Sequence, residues 1–500
     1  MGRPQYHRKP YKHKKSRRKT KKRFPPQCEP KMSFEECELA ILRQAVDENE
    51  KHTKTKIANT AEVKAMIEIV EDFLRKSQCI CYGGTAINNI LPEEAQFYDR
   101  NLEIPDYDFF SKTPVEHAKQ LADIFYEKGY TEVEAKAGVH HGTYKVYVNF
   151  IPMADITLLH KELFSSLHKD AIQIDGIHYT PPNYLRMSMF LELSRPQGDV
   201  SRWEKVLKRL TLLNKYYPLK VDHCGQIDFQ RSLDQSPEDS NRLYCTIRDS
   251  FIDQRVVFFG GYATSLYSQY MPVKLQRIIR SIPDFDVLST NPDRCANLVV
   301  QRLEKNGFKK CKVVRHQSIG EVIPTHYEIL VGPDTLAFVY EPLACHNYNE
   351  IVIKKKTIRV ATIDTILSFY LAFLYADMNY FSYYKDRLLC MSQYLFQVEQ
   401  ENRLAQKGLL QRFTMKCYGV QPTLETIRAK KTEMFETLRN KKSNDPVKES
   451  WFLKYNPASS SKENETITDS TAPPKKKKTK VSKKTRKKKK TKKSKQEFLF

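Results

Sequence analysis

A pair of glycines and a pair of aspartates stand close together in this 500-residue chain. Gly83 and Gly84 end a short apolar stretch, and Asp106 and Asp108 follow at a distance of about 22 residues. Glycines let backbone N–H groups approach an anion closely, and a helix that begins at Thr85 would add its dipole there. Alternate residues of a strand share a face, so the two carboxylates would project together and favour a hard divalent cation with phosphate oxygens around it. The pattern predicts a phosphate site beside a metal site.

The same compound pattern occurs a second time. Gly260 and Gly261 also follow an apolar stretch, and Asp284 and Asp286 come after them. From the second glycine to the first aspartate the distance is 22 residues in one copy and 23 in the other. Either motif alone is weak, because ordinary turns and strand ends carry the same residues. Their repetition at nearly one spacing predicts an internal duplication.

The two copies differ where chemistry would be sensitive. Our alignment of the copies pairs Asp155 with Cys345 and Thr85 with Tyr262. A neutral thiol is a poor ligand for a hard cation, and a tyrosine ring would crowd a phosphate. We therefore expect an active first copy and a degenerate second copy, whose own aspartate pair is solvated or locally paired.

Gly-Gly-Thr, then Asp-x-Asp, then a third aspartate on a neighbouring strand resembles the polymerase-beta-like nucleotidyltransferase superfamily. One intact and one degenerate copy is similar to the catalytic subunits of viral poly(A) polymerases, those of poxviruses and giant DNA viruses, over about residues 75–455. This resemblance implies two Mg²⁺ or Mn²⁺ ions and ATP as substrate. It also implies two groups of site residues: catalytic, metal-holding Asp106, Asp108 and Asp155, and triphosphate-facing Gly83, Gly84 and Thr85.

The helices that follow the third aspartate contact the triphosphate and the base in that superfamily. The resemblance makes Arg202 and Lys205 candidates for phosphate binding, and Tyr184 a candidate for stacking on the base. The alternative for the two basic residues is an amphipathic helix that exposes its Lys/Arg face to water.

The positive charge of the chain is concentrated at its ends. The net charge is +25, and residues 1–23 hold 12 Lys or Arg while residues 475–495 hold 15. The remainder is close to neutral. Such polar, charged segments cannot bury a core, so disordered tails are predicted. They would bind RNA or serve as targeting signals, and composition does not separate these roles.

The predicted fold class is α+β, with two tandem nucleotidyltransferase units, each of a mixed sheet plus helices. The predicted organisation is a disordered basic arm (1–27), a helical segment (28–76), the catalytic unit with its following helices (77–220), the degenerate second unit with C-terminal helices (221–455) and a disordered Lys-rich tail (456–500).

The eleven cysteines show no zinc-ligand spacing, and no secretory signal or membrane-length apolar run is present. These features predict reduced thiols in a soluble, intracellular protein. The resemblance adds the cytoplasm of an infected cell, or the virion, as the location.

The predicted function is transfer of AMP from ATP to RNA 3′ ends. By resemblance, processivity needs a second subunit or a second copy of the chain, and the aromatic helix at 363–375 suggests a homodimer. Two alternatives remain open: a uridylyl- or CCA-adding nucleotidyltransferase, and a non-catalytic RNA-binding or virion protein that keeps the fold.

Overall fold

The computed structural model describes residues 28, 31–58, 60–98, 104–227, 236–279, 284–376, 384–402 and 404–459. The predicted disorder of residues 1–27 and of the tail from residue 460 lies outside these ranges. Fifteen α-helices are found in the described part of the chain: α1 Phe34–Ala58, α2 Ala61–Ser77, α3 Gly83–Ile90, α4 Pro114–Glu127, α5 Lys161–Lys169, α6 Pro182–Leu193, α7 Trp203–Tyr216, α8 Pro237–Asp253, α9 Gly261–Tyr267, α10 Val273–Ile279, α11 Pro292–Lys305, α12 Ile363–Phe373, α13 Tyr384–Glu401, α14 Leu424–Leu438 and α15 Pro446–Phe452.

The strands form two eight-stranded mixed sheets, which confirms the α+β class. The first sheet contains β1 Ile80–Tyr82, β2 Tyr107–Ser111, β3 Val133–Ala137, β4 Thr143–Val148, β5 Ile151–Leu158, β6 Ile172–Ile174, β7 Ile177–Tyr179 and β16 Lys454–Tyr455. The second sheet contains β8 Val257–Phe258, β9 Phe285–Leu288, β10 Cys311–His316, β11 His326–Val331, β12 Asp334–Tyr340, β13 His346–Ile353, β14 Lys356–Ala361 and β15 Cys417–Tyr418.

The strand orders confirm the duplication. The first sheet runs β16-β3-β4-β5-β2-β1-β7-β6, and the second runs β10-β11-β12-β9-β8-β14-β13-β15. Strand directions match as well, since β2 is parallel to β5 as β9 is to β12. Each sheet thus repeats one unit of seven strands and receives one further strand at an edge.

Apolar residues on alternate strand positions attach helices to one face of each sheet. In β4, Tyr144, Val146 and Val148 are buried while the residues between them are half-exposed. Helices α2 and α4 pack on this side of the first sheet, and α8 and α11 do so in the second. The opposite face of the first sheet is left to carry the polar residues.

Two equivalent helices join the units. Helix α6 follows β7 and α12 follows β14, and the two helices pack against each other. Thr362 caps α12 by accepting the backbone N–H of Thr365, and every residue of α12 is buried. The aromatic helix therefore lies inside the chain, so the observation that suggested a homodimer no longer supports one.

The C-terminal segment returns to the first unit. Strand β16 pairs with β3, the Lys119 ammonium contacts Glu449 at 2.7 Å, and the Tyr455 hydroxyl donates to Asp123 at 2.7 Å. The structure differs here from the predicted second unit of 221–455, because two strand residues with mixed composition carry too little sequence signal to reveal a remote sheet pairing.

Six of the eleven cysteines form disulfides, so the expectation of reduced thiols is wrong for these six. The pairs are Cys28–Cys37, Cys224–Cys390 and Cys345–Cys417. Partners lie up to 166 residues apart, which no local spacing rule detects. Within the described residues no helix has the length and apolar character that crossing a membrane requires.

Candidate active site

Three carboxylates of the first unit lie on or next to two neighbouring strands. Asp108 of β2 lies directly opposite Asp155 of β5 in the parallel register, so both side chains share one face of the sheet. Asp106 comes two residues before Asp108 in the chain, and the residue between them, Tyr107, is buried. The structure thus brings together the three aspartates that the sequence predicted as a set.

Burial and crowding raise the pKa of Asp106 and of Asp108. Burial raises the pKa of Asp108 to about 7, and the charges of Asp106 and Asp155 add to that effect. Burial and the charge of Asp155 also raise the pKa of Asp106. The Lys145 ammonium of β4 donates to Asp155, and although burial opposes it, this contact raises the pKa of Lys145. The site therefore concentrates negative charge that one lysine only partly offsets, a condition that favours a further cation.

The glycine turn lies against this cluster. Gly83 begins α3 with φ +73°, a conformation that favours glycine, and a Cβ there would stand 2.7 Å from the Asp108 Oδ2. Thr85 is 3% exposed, and its hydroxyl donates to the Asp106 carbonyl at 2.6 Å. The hydroxyl of Thr85 thus fixes the turn against the aspartate pair, and the contact of Thr85 with a triphosphate stays a prediction.

Helix α7 and the turn that precedes it bring cationic side chains to the same place. The positive charge of Lys205 lowers the pKa of Asp106, and that of Arg202 lowers the pKa of Asp108, although both carboxyls stay above their usual pKa. Arg202 also forms an ion pair with Glu192 at 3.1 Å. Both predicted basic residues therefore lie within electrostatic reach of the carboxylates.

Arg209 is a site residue that the sequence prediction missed. A Cβ on Gly84 would stand 2.9 Å from its guanidinium nitrogens, and that guanidinium packs over the rings of Phe97 and Tyr98 at 5.0 and 5.5 Å. The signal was present in the sequence, because positions 202, 205 and 209 recur at the spacing of one helix face.

Tyr184 occupies the core. It is 3% exposed, and its ring lies edge-on to Phe110 at 6.0 Å and to Tyr375 at 5.4 Å. Burial also raises the pKa of its hydroxyl. Its predicted stacking on a base is not supported, because neighbouring rings from both units enclose the side chain.

The equivalent place in the second unit is closed by other side chains. Arg387 of α13 pairs with Asp284 at 3.4 Å, so this carboxylate is locally paired as expected. The residue opposite Asp286 in the parallel register is Phe338. The predicted counterpart of Asp155, Cys345, lies beyond the end of β12 and is disulfide-bonded to Cys417. The third carboxylate is absent as predicted, but the residue that replaces it is a phenylalanine.

Metal-ligand geometry is not preformed. Over the ranges that the structure describes, no three His, Cys, Asp or Glu side chains are placed so that they could hold one metal ion. The donor chemistry of the first unit still suits a hard cation, since its three acidic side chains offer only oxygen atoms. Movement of the Lys145 ammonium away from Asp155 would free an oxygen for such an ion.

Part of the chain is similar in sequence to known proteins. Residues 68–199 match the family described as "Poly(A) polymerase catalytic subunit". A protein of Acanthamoeba polyphaga mimivirus named "Putative poly(A) polymerase catalytic subunit" is 35% identical over 257 residues, which cover 46% of this chain and 42% of that protein. This part of the chain is similar to proteins named as viral poly(A) polymerase catalytic subunits. The resemblance predicted from the motifs is thereby confirmed.

Two further proteins are similar to this chain, one in sequence and one in fold. The identically named protein of African swine fever virus (isolate Pig/Kenya/KEN-50/1950) is 34% identical over 170 residues, covering 33% of this chain and 35% of that protein. The alignments thus span about two fifths of the curated relatives. The crystal structure of the Megavirus polyadenylate synthase superposes with a TM-score of 0.71 at 19% identity, covering 95% of this chain and 93% of that chain, and so shows a shared fold.

Proposed function

We propose that this chain is a polynucleotide adenylyltransferase that transfers AMP from ATP to RNA 3′ ends. The observation that carries the proposal is the meeting of Asp106, Asp108 and Asp155 beside the glycine turn, within the segment that matches the poly(A) polymerase catalytic subunit family. A carboxylate cluster beside a phosphate cradle suits phosphoryl transfer, in which positioning and electrostatic stabilisation do most of the work.

The three aspartates would hold two Mg²⁺ or Mn²⁺ ions. When bound, these ions would activate the RNA 3′-hydroxyl and stabilise the leaving pyrophosphate. The raised pKa of Asp108 supports this role, because a carboxyl in a crowded acidic cluster gains most from a cation. Lys145 neutralises Asp155 in the metal-free chain and would turn towards substrate phosphate once a metal takes its place.

The triphosphate would lie at the glycine turn and at the cationic face formed by Arg202, Lys205 and Arg209. Gly83 and Gly84 remove the side chains that would keep phosphate oxygens away from backbone N–H groups. Arg209 is held by stacking on Phe97 and Tyr98, so little side-chain freedom is lost when it donates to an oxyanion. Lys205 is exposed and adds a positive charge near Asp106.

RNA and ATP are the proposed substrates, and a further subunit or a second copy of the chain is the proposed partner for processivity. The relatives are named catalytic subunits, which supports the presence of another subunit. Their viral origin supports action in the cytoplasm of an infected cell or packaging in the virion.

The choice of adenine is supported by the relatives rather than by a base contact. The deciding experiment is extension of a labelled, unstructured RNA oligonucleotide with each of the four NTPs offered separately. A long ladder with ATP alone is expected. Extension with UTP, or with CTP followed by ATP, would make the chain a uridylyl- or CCA-adding enzyme. Binding of RNA without any extension would favour the non-catalytic alternative.

A further inference from the structure

One straight row of charged residues crosses five neighbouring strands of the first sheet. Asp108 of β2 lies opposite Asp155 of β5, and Asp155 lies opposite Lys145 of β4. Lys145 in turn lies opposite Lys136 of β3, which lies opposite Lys454 of β16. Residues directly opposite one another in a sheet share a face, so two carboxylates are followed by three lysines on one surface.

This lysine row, defined as Lys145, Lys136 and Lys454, stands on the face that α2 and α4 leave open. The Lys145 and Lys136 side chains are 34% and 42% exposed, and Lys454 is exposed. With adjacent strands about 4.8 Å apart, the row extends roughly 14 Å from Asp155 to the edge of the sheet. A positively charged track of this length suits the backbone of a few nucleotides of single-stranded nucleic acid.

The position of the glycine turn decides which substrate the row would meet. In phosphoryl transfer the attacking and leaving oxygens lie roughly in line across the phosphorus atom. The glycine turn follows β1, which is next to β2 on the side away from β5. Pyrophosphate held at that turn would leave towards β1, so the attacking 3′-hydroxyl must arrive from the side of β5, β4 and β3.

A ring beside the row offers a surface for a base. Tyr147 of β4 is half-exposed on the same face, two residues from Lys145, and the Lys136 ammonium lies 4.1 Å from its ring centroid. Lys136 also contacts Glu134 at 2.9 Å, which fixes its position on the sheet. Aromatic rings and lysines alternating along a groove are the usual means of binding single strands without sequence preference.

We propose that the lysine row is the binding track for the 3′-terminal nucleotides of the RNA primer, with Lys136 and Lys454 on the phosphates upstream of the reacting nucleotide and Tyr147 against a base. The proposal rests on the proposed function, since it assigns the second substrate of the same site. The proposal also assigns a function to the pairing of β16 with the first sheet, because β16 supplies Lys454 and extends the track by one strand.

Salt dependence of RNA binding tests the track in the full chain. Each lysine that contacts a phosphate contributes about 0.7 to the slope of log affinity against log salt for a single strand. Affinities for a fluorescent oligo(A) RNA, measured by anisotropy across a salt series, should show this loss of slope in Lys136→Ala and in Lys454→Ala, and about twice the loss in the double variant. The Michaelis constant for ATP should stay unchanged in all three.

A matched control separates the track from general charge. Lys416 is 58% exposed in the second unit and pairs with Glu350 at 2.7 Å, much as Lys136 pairs with Glu134. Lys416→Ala should keep the wild-type slope. Equal losses in Lys416→Ala and Lys136→Ala, or wild-type slopes in both row variants, would overturn the proposal.

Photocrosslinking locates the primer without any turnover. An RNA with 4-thiouridine near its 3′ end should crosslink to peptides that contain residues 133–148 and 451–455. Crosslinks confined to other peptides would overturn the track even if the chain extends RNA. Crosslinks at the row in a chain that extends no RNA would leave the track standing and refute adenylyl transfer.

Discussion

The two units share a strand order but differ in how they treat the same pair of aspartates. In the first unit a third carboxylate, Asp155, joins the pair, and Lys145 donates to it. In the second unit Phe338 stands where Asp155 would be, and Arg387 supplies an internal cation. The comparison shows that the duplicated fold survives the loss of its acidic cluster, because an arginine can neutralise what a metal ion would otherwise neutralise.

The second unit still supports the first unit through packing. Its helix α12 is buried against α6, the helix that follows the first sheet, and Tyr375 lies edge-on to Tyr184. Removing this unit would expose the apolar side of α6, which directly precedes the cationic helix α7. We infer that the second unit supports the helices that would face a triphosphate in the proposed function.

Removing Arg387 should have the largest effect, because the second unit has this arginine beside its aspartate pair. Arg387→Ala leaves Asp284 in a largely buried place without this partner, so the free energy of unfolding should fall by about 1–3 kcal/mol. Urea denaturation measures the change. Arg439→Ala is the control, because its pair with Glu436 is exposed and should contribute less than about 0.5 kcal/mol. Equal stability of Arg387→Ala and wild type would contradict the assigned role.

Arg209 should contribute to ATP binding at the first unit. Arg209→Ala removes the stacked guanidinium beside Gly84, so the Michaelis constant for ATP should rise about tenfold, corresponding to about 1.4 kcal/mol. Steady-state kinetics with RNA held saturating measure this effect. Lys208→Ala, on the same helix and 73% exposed, should match wild type. Unchanged ATP kinetics in Arg209→Ala would remove this residue from the triphosphate site.

The crowded carboxylates should also make the stability of the first unit depend on pH. The folded-state pKa of Asp108, about 7, exceeds its ordinary value, so the stability that its protonated form contributes is lost as pH rises through about 7. The metal-free chain should therefore lose stability between pH 5 and pH 8. Mn²⁺ should raise the melting temperature at both pH values, and the increase should be about 2 °C larger at pH 8 than at pH 6. Thermal unfolding measures both effects, and an Mn²⁺ shift that is equal at the two pH values would contradict this cause.

The sequence revealed the parts of the site that repeat. Paired glycines and aspartates at one spacing predicted both units and the aspartate pair of each, since short-range spacing on strands is readable without the fold. Arg209 could have been found from its helical spacing with positions 202 and 205. These features depend on residues that are close in the chain.

Features set by distant packing were not readable. Tyr184 looked like a ring available for stacking, but α12 and Tyr375, nearly two hundred residues later, enclose it. The replacement for Asp155 was misplaced at Cys345, because sequence similarity around Pro152 and Pro342 suggested a register that the strand pairing of β9 with β12 does not follow. Register is fixed by which side chains face the core, and an alignment of two diverged copies does not contain that information.

The most direct test of the account removes the same carboxylate from each unit. Asp108→Asn and Asp286→Asn stand at equivalent positions, so RNA extension with ATP and Mn²⁺ can be compared between two isosteric changes. Asp108→Asn should lower the rate at least about a thousandfold, or about 4 kcal/mol of transition-state stabilisation, while Asp286→Asn should stay within about twofold of wild type. Equal losses in the two variants, or full activity in Asp108→Asn, would contradict the claim that only the first unit is catalytic.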